Sequence, residues 1–289
     1  MKISFFIVNY KSEGFLKSSL KSIFDKVDLV DFEIIIINND EKRLFLNDFG
    51  TKNFCLETIT PEDCEKKRDF ISKKIILVEN NKNVGFGKAN NLGVLVSQGD
   101  ILCFLNPDTE IRGENIGELL EKFEKDEGIG VIGPRILERD KSGKFSVQAW
   151  SAGKDFGLAE ILKGKIGLSN SEKIWNSQKV IEADWITGAC LFIRKRIFLQ
   201  LGGFDEKFFL YYEDLDLCKR VREAGGKIIF CPKFEIIHLG GKSFAENSKQ
   251  KELYFASQEY YFKKWFRGGE RLLLKMLVFF YRRKYKFFR

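Results

Sequence analysis

Four carboxylates and one imidazole are the groups in this chain whose types and spacing could do chemistry. Residues 208–220 read FFLYYEDLDLCKR, so an aromatic run leads straight into Glu213, Asp214 and Asp216. Leu217, Val221 and Ala224 then fall at i, i+4 and i+7, a helical spacing. Asp214 therefore sits in or just before a first helical turn, where the backbone's partial positive charge favours an ionised carboxylate. Such a group beside an aromatic wall suits a general base for a sugar hydroxyl. The same acids also suit plain helix capping, and this segment alone does not choose between the two.

The fourth carboxylate, Asp108, stands in FLNPDT after an apolar run. A carboxylate on the lip of a strand can hold Mg²⁺ together with substrate phosphates. Asn106, Pro107 and Asp108 are also ordinary turn formers. His238 is the single histidine of the chain. A neutral imidazole is a common metal ligand, although a lone histidine can equally be structural. The glycines that follow it permit a tight turn towards a phosphate. Trp185 is either a sugar-stacking platform or a core residue.

These groups need a frame. Ile3–Val8, Glu33–Ile37, Ile75–Val78 and Ile101–Leu105 are apolar runs of the kind that strands buried on both faces require. Between the first two lies a helical stripe of Phe15, Leu16, Leu20, Ile23 and Phe24, with Ser12 as its N-cap. Strand, helix, strand implies parallel pairing. Polar residues just beyond such strands then lie at the carboxyl edge, where open α/β sheets bind ligands. Gly85 and Gly87 open another helical stripe, of Ala89, Leu92 and Val96, and glycines there let a backbone approach a phosphate or nucleotide. Residues 41–73 read as a surface insertion with some helix. Residues 138–179 read as a mobile loop with short elements, and 180–194 as strand, glycine turn, strand. Lys227–Cys231 reads as a short strand.

The chain has 289 residues and a net charge of +8. Ten Lys or Arg and one Glu between Lys263 and Arg289 give that tail +9, which leaves −1 for everything before it. A nearly neutral body argues against nucleic acid. A basic tail with Trp and Phe fits an interfacial membrane anchor, or else a helix packed on the body with a solvated basic face. No run of about 18 uncharged apolar residues exists to span a bilayer. Six cysteines without a C-x-x-C pair read as reduced, buried hydrophobes. A cytoplasmic protein is expected, peripheral on the inner face of the plasma membrane.

Taken in order, IVNYKS, IIINND, NVGFGKANNLG, FLNPDT, ADWITGACLFIRK, GGFDEKFFLYYEDLDLCKRVREAGGK and HLGGKS resemble an inverting glycosyltransferase of family 2, in its rhamnosyltransferase-like branch. The resemblance covers about residues 1–245. It implies a GT-A fold: a Rossmann-like, mixed, mainly parallel sheet flanked by helices. Residues 1–110 would be the nucleotide half, 111–245 the acceptor half, and 246–289 a helical basic extension. It also implies that Asp214 is the base and that Asp108 and His238 hold Mg²⁺ or Mn²⁺ against the diphosphate. Val8, Asn9, Tyr10, Asn38, Asn83, Gly85, Phe86 and Asn90 would frame the nucleotide, with Asn106 at the metal lip. Trp185, Gly188, Ala189, Tyr212 and Glu213 would line the sugar and acceptor pocket.

The family commonly places Asp where this chain has Asn38, and an amide can both donate and accept. The donor the resemblance implies is dTDP-L-rhamnose, then a UDP-hexose. The acceptor is a saccharide or lipid-linked saccharide, in cell-surface polysaccharide synthesis. A non-catalytic sugar-nucleotide scaffold would be expected to lack one of the two key carboxylates, and both are present. Nucleotidyl transfer wants more acidic metal ligands than this sequence offers.

Overall fold

A computed structural model of the chain describes residues 1–27, 30–46, 55–66, 71–113, 116–140, 142–155, 157–165, 169–239 and 248–287. The turn expected from Gly240 and Gly241 lies outside these residues, as does the boundary expected at 245.

Strands β1 (Ile3–Asn9), β2 (Phe32–Asn38), β3 (Cys55–Ile59), β4 (Lys74–Glu79) and β5 (Ile101–Leu105) run parallel, in the spatial order β5-β1-β2-β4-β3. The four apolar runs account for four of them. β3 belongs to the insertion, where some helix was expected; among its described residues the insertion contributes a largely exposed edge strand and a 3-10 turn at Pro61–Asp63. The two-residue period of the strands separates two cores. Phe5 and Ile7 join Leu16, Leu20 and Ile23 of α1 (Glu13–Lys26), while Phe6 and Val8 join Ala89 and Val94 of α2 (Phe86–Val96).

The second half makes the sheet mixed. It contains β6 (Thr109–Ile111), α3 (Ile116–Lys125), β7 (Ile129–Arg139), β8 (Phe145–Val147), β9 (Ala152–Gly153), α4 (Leu158–Lys165), α5 (Ser171–Trp175), β10 (Ile181–Ala183), β11 (Trp185–Ile186), β12 (Cys190–Arg194), α6 (Lys195–Gln200), α7 (Glu213–Glu223) and β13 (Lys227–His238). β12 lies antiparallel between β5 and β7, and β13 runs parallel to β7. β13 is longer than the five residues expected. Its register slips between Cys231 and Glu235, where Pro232 has no N–H to give, and then continues to His238. That extension pairs with β6 and sets His238 opposite Thr109.

The C-terminal tail is two helices, α8 (Ser248–Trp265) and α9 (Gly268–Phe287). α8 packs on the body: Phe255, Tyr261, Phe262 and Phe266 share a third core with Phe208 and Tyr212. The packed-helix reading of the tail describes one face of α9 and leaves another uncovered. Leu274 and Val278 are buried in the third core, whereas Leu272, Leu273, Met276, Phe279 and Phe280 are exposed. Among the described residues no helix is long and apolar enough to cross a membrane.

Asp216 fastens α8 to α7. It is fully buried, and its carboxylate accepts from Arg220 Nε at 2.8 Å and Trp265 Nε1 at 2.9 Å, with Lys264 Nζ at 2.6 Å. Lys264 also reaches Asp205 at 2.8 Å, so this cation of the basic tail is spent inside the protein. Asp216→Ala would strand two cations around an apolar gap. We expect a loss of about 3 kcal/mol in urea unfolding, with α8 becoming protease-sensitive first; an unchanged unfolding midpoint would remove Asp216 as the fastening.

Candidate active site

A cavity of about 660 Å³ opens at the carboxyl ends of the central strands. The turn after β5 brings Asn106 and Asp108 to it, and the turn before β12 brings Gly188 and Ala189. The start of α7 supplies Tyr212, Glu213 and Asp214, the end of β13 supplies His238, and α2 supplies Phe86. Residues as far apart in sequence as Phe86 and His238 thus meet at one edge, as expected of an open α/β sheet.

Asp214 is partly buried. Its Oδ2 accepts the Gly188 N–H at 2.7 Å and its Oδ1 the Leu215 N–H at 2.8 Å. Burial raises its proton affinity above the ordinary carboxylate range, and these backbone donors pull it partly back. Glu213 is 5 % exposed, and its Oε2 has no hydrogen-bond partner. Burial first, and the neighbouring Asp214 charge second, push Glu213 well above the carboxylate range, so its neutral form is favoured. The two acids are delivered by an unusual turn. Tyr211 and Tyr212 both hold positive φ, 72° and 70°, which is costly for aromatic residues. The Tyr212 hydroxyl is held by Tyr254 at 3.1 Å and by Gln258 Nε2 at 2.7 Å, both from α8.

Asp108 and His238 face each other. The Asn-Pro-Asp segment is indeed a turn, with the Thr109 N–H and hydroxyl both donating to Asn106 O. Within that turn Asp108 Oδ1 lies 3.2 Å from His238 Nε2, and the Leu239 N–H donates to Asp108 O at 2.8 Å. Among the described residues no cluster of three or more His, Cys, Asp or Glu exists that could hold a metal alone. One carboxylate oxygen and one imidazole nitrogen on a cavity wall nevertheless fit a hard cation that takes its remaining ligands from phosphate and water.

The expected nucleotide frame has a different character. Asn9 and Asn38 are fully buried, with Asn9 Nδ2 on Asn38 Oδ1 at 2.9 Å and Asn38 Nδ2 on Glu79 Oε2 at 2.8 Å. Their amides bond neighbouring strands, so Asn38 is held within the sheet edge rather than projecting from it. Ser12 begins α1 as expected, but its hydroxyl donates to Asn9 Oδ1 and accepts no N–H of the helix. Asn83 Oδ1 accepts from Asn39 and from the Gly85 N–H. Val8 and Asn90 are buried too, the latter donating to Phe86 O. Tyr10 is exposed at the rim of this edge. Asp40, the last residue of IIINND, carries a carboxylate two residues beyond Asn38 and accepts the Lys11 N–H at 3.2 Å.

Two further expectations change. Gly85 does admit a close backbone, but it is the protein's own: a Cβ there would stand 2.5 Å from Phe209 O, which accepts the Phe86 N–H. Trp185 lines the cavity but is only 5 % exposed, and its indole N–H is bonded to Lys154 O. The accessible indole is Trp150, 48 % exposed, at positive φ and 5.3 Å from the Trp175 ring. Trp150, Gln148, Tyr211 and Tyr254 line the cavity without having been picked out. Only the aromatic richness of 208–212 and 254–262 hinted at the last two.

The family model described as "Glycosyltransferase like family 2" matches residues 2–252. A curated relative, the low-salt glycan biosynthesis hexosyltransferase Agl10 of Haloferax volcanii, is 26 % identical over 242 residues, covering 82 % of this chain and 66 % of its own. The N-acetylglucosaminyl-diphospho-decaprenol L-rhamnosyltransferase of Mycobacterium tuberculosis is 29 % identical over 178 residues, covering 56 % of this chain and 58 % of its own. The chain therefore spans about three fifths to two thirds of these relatives. Among solved structures, GalNAc-T7 with UDP, GalNAc and Mn²⁺ superposes with a TM-score of 0.57 at 15 % identity, over 83 % of this chain and 44 % of that one. The mixed, mainly parallel sheet flanked by helices is the GT-A fold, and the chain belongs to the glycosyltransferase-like family 2.

Proposed function

We propose that the chain is an inverting glycosyltransferase that moves a sugar from a nucleotide-sugar to a hydroxyl of a saccharide acceptor in cell-surface glycan synthesis. One observation carries this reading. A single cavity holds a carboxylate of raised proton affinity, Asp214, and a separate carboxylate–imidazole pair, Asp108 and His238. Paired groups with separated environments are how acid–base and charge-stabilising roles divide.

Asp214 takes the proton of the acceptor hydroxyl as its oxygen attacks the anomeric carbon from the face opposite the diphosphate. The bond to the diphosphate breaks, and its electron pair leaves with the phosphate oxygen. The Gly188 and Leu215 N–H groups keep one lone pair of each Asp214 oxygen occupied and orient the rest. A Mg²⁺ or Mn²⁺ ion held by Asp108 and His238 would neutralise charge on the departing diphosphate; the structural neighbour with UDP and Mn²⁺ supports that choice. Trp150, Tyr211 and Tyr254 offer an aromatic wall to the acceptor ring. Glu213 stays neutral beside Asp214, which leaves the single negative charge of the pair on the base.

L-rhamnose is the sugar this reading favours, on the strength of the mycobacterial relative's name, with dTDP as the carrier that the motif resemblance implies; a UDP-hexose is the alternative. That relative's name also describes a lipid-linked acceptor. Such an acceptor would suit peripheral membrane contact through α9, whose exposed Leu272, Leu273, Met276, Phe279 and Phe280 lie among Arg271, Lys275, Arg282 and Arg283.

Three outcomes are expected. Asp214→Asn should cut transfer by about 10²–10⁴-fold while calorimetric donor binding stays unchanged, whereas Asp108→Ala should weaken cation-dependent donor binding; surviving transfer in Asp214→Asn would end the base assignment. The panel that measures this, nucleoside diphosphate release from several sugar nucleotides, also decides the donor.

Glu213 governs a pH dependence. Its folded proton affinity is raised, so its contribution to stability is complete below the ordinary carboxyl range. It is lost as pH rises through the folded value, because the unfolded chain ionises first. Glu213→Gln should therefore be more stable than the wild type at neutral pH and equal to it in acid; parallel unfolding curves at both would contradict the neutral Glu213.

Leu273→Glu with Phe280→Glu should abolish co-sedimentation with phosphatidylglycerol vesicles and leave donor turnover intact. Undiminished sedimentation would remove α9 as the contact.

A further inference from the structure

We propose that Gln148 is a positioning residue that fixes the tautomer of His238, turning Nε2 towards Asp108 as a bare lone pair. The inference rests on the reading of Asp108 and His238 as a cation–diphosphate site.

His238 Nδ1 lies 2.9 Å from Gln148 Oε1, and its Nε2 lies 3.2 Å from Asp108 Oδ1. A neutral imidazole carries one N–H, and the partner of one nitrogen decides which nitrogen keeps it. Gln148 turns its amide oxygen, not its NH2, towards the ring, and an oxygen can only accept, so in this orientation the proton belongs on Nδ1. Nε2 then faces the Asp108 carboxylate lone pair to lone pair. Two acceptors so close repel each other, and a cation coordinated by both removes the repulsion. The arrangement is therefore shaped for a positive ion. With Gln148 absent, the proton would settle on Nε2, bond to Asp108 and close that seat.

The frame holds all three groups. The Gln148 N–H donates to Ile136 O at 2.8 Å, just beyond β8, which pairs with β7 through Val147 and Leu137. His238 is in register with Glu138 of β7 on one side and Thr109 of β6 on the other. The His238 side chain is only 10 % exposed, so little water competes for its nitrogens. A neutral amide orients the ring without adding charge to the site, as partners of metal-bound histidines do elsewhere.

The experiment uses the full chain, whose one histidine gives a single imidazole pattern in long-range ¹H–¹⁵N spectra. At alkaline pH the wild type should show the Nδ1–H tautomer, and Gln148→Leu the Nε2–H tautomer. Mn²⁺ affinity in the presence of nucleoside diphosphate, read from the free-ion electron paramagnetic resonance signal, should fall roughly 10–100-fold in Gln148→Leu. Gln148→Glu keeps an acceptor at Nδ1 and should retain the wild-type tautomer and most of the affinity, which separates orientation from damage to the fold. An Nε2–H tautomer in the wild type, or an unchanged tautomer and affinity in Gln148→Leu, overturns the proposal. If the wild type binds no Mn²⁺, the cation reading of the site fails; if it binds Mn²⁺ as tightly without the Gln148 amide, only the role of Gln148 fails.

Discussion

Three carboxylates within four residues cannot all stay charged at the buried start of one helix, and the structure around α7 follows from how each is accommodated. Burial raises the proton affinity of Glu213 and Asp214, and the neighbouring negative charge adds to this at Glu213. Glu213 yields and is favoured neutral. Asp214 is steadied by two backbone N–H groups and opens on the cavity. Asp216 is given Arg220, Lys264 and Trp265, which draws α8 across the body. α8 in turn holds the Tyr212 hydroxyl through Tyr254 and Gln258, and so steadies the left-handed turn that delivers the acids. The acids and the helix that covers them are thus mutually dependent. Backbone strain of this kind persists where the surroundings over-determine it, commonly at functional sites.

The opposite wall of the cavity depends on strand register rather than on charge. Asp108 and His238 are 130 residues apart in sequence. They meet because β13 resumes after the slip at Pro232 and pairs with β6. A sheet fixes such a pairing firmly, since a shift of one residue would reverse every side chain. The neighbouring carboxyl edge is stiffened by amides: Asn9, Asn38, Asn39, Asn80 and Asn83 bond one another or Glu79. Buried amides must be paired, and pairing them here leaves few free to greet a ligand.

What could be read from the sequence was what local pattern controls. Continuous apolar runs located four parallel strands, and a 3.6-residue stripe located α1, α2 and α7. The resemblance in short motifs singled out Asp108, Asp214 and His238, and these line one cavity. What could not be read was what distant segments supply. Gln148 and Trp150 come from a stretch of short elements, and Tyr254 from a tail whose charge drew attention away from its rings. Gly85 and Asn38 share one physical ambiguity. A glycine that lets a backbone approach, or an amide that needs a partner, has the same letter whether the other party is a ligand or the protein itself. Here the other parties are Phe209 O and Glu79.

The basic tail shows how a charge count can mislead. Lys264 contributes to the total, yet it is bound to Asp205 and Asp216 within the body. The surplus that remains lies on α9, beside an exposed apolar face. Salt screening leaves a scattered surface charge little reach, so the cations gain meaning only next to that face. α9 also packs on α8, and α8 carries Tyr254 to the cavity. An acceptor held at a lipid surface by its own anchor would therefore meet α9 and the cavity wall on one connected pair of helices. The same pair rests on Asp216, so the acid that gained no catalytic role is the one through which the tail and the reacting groups share a common support.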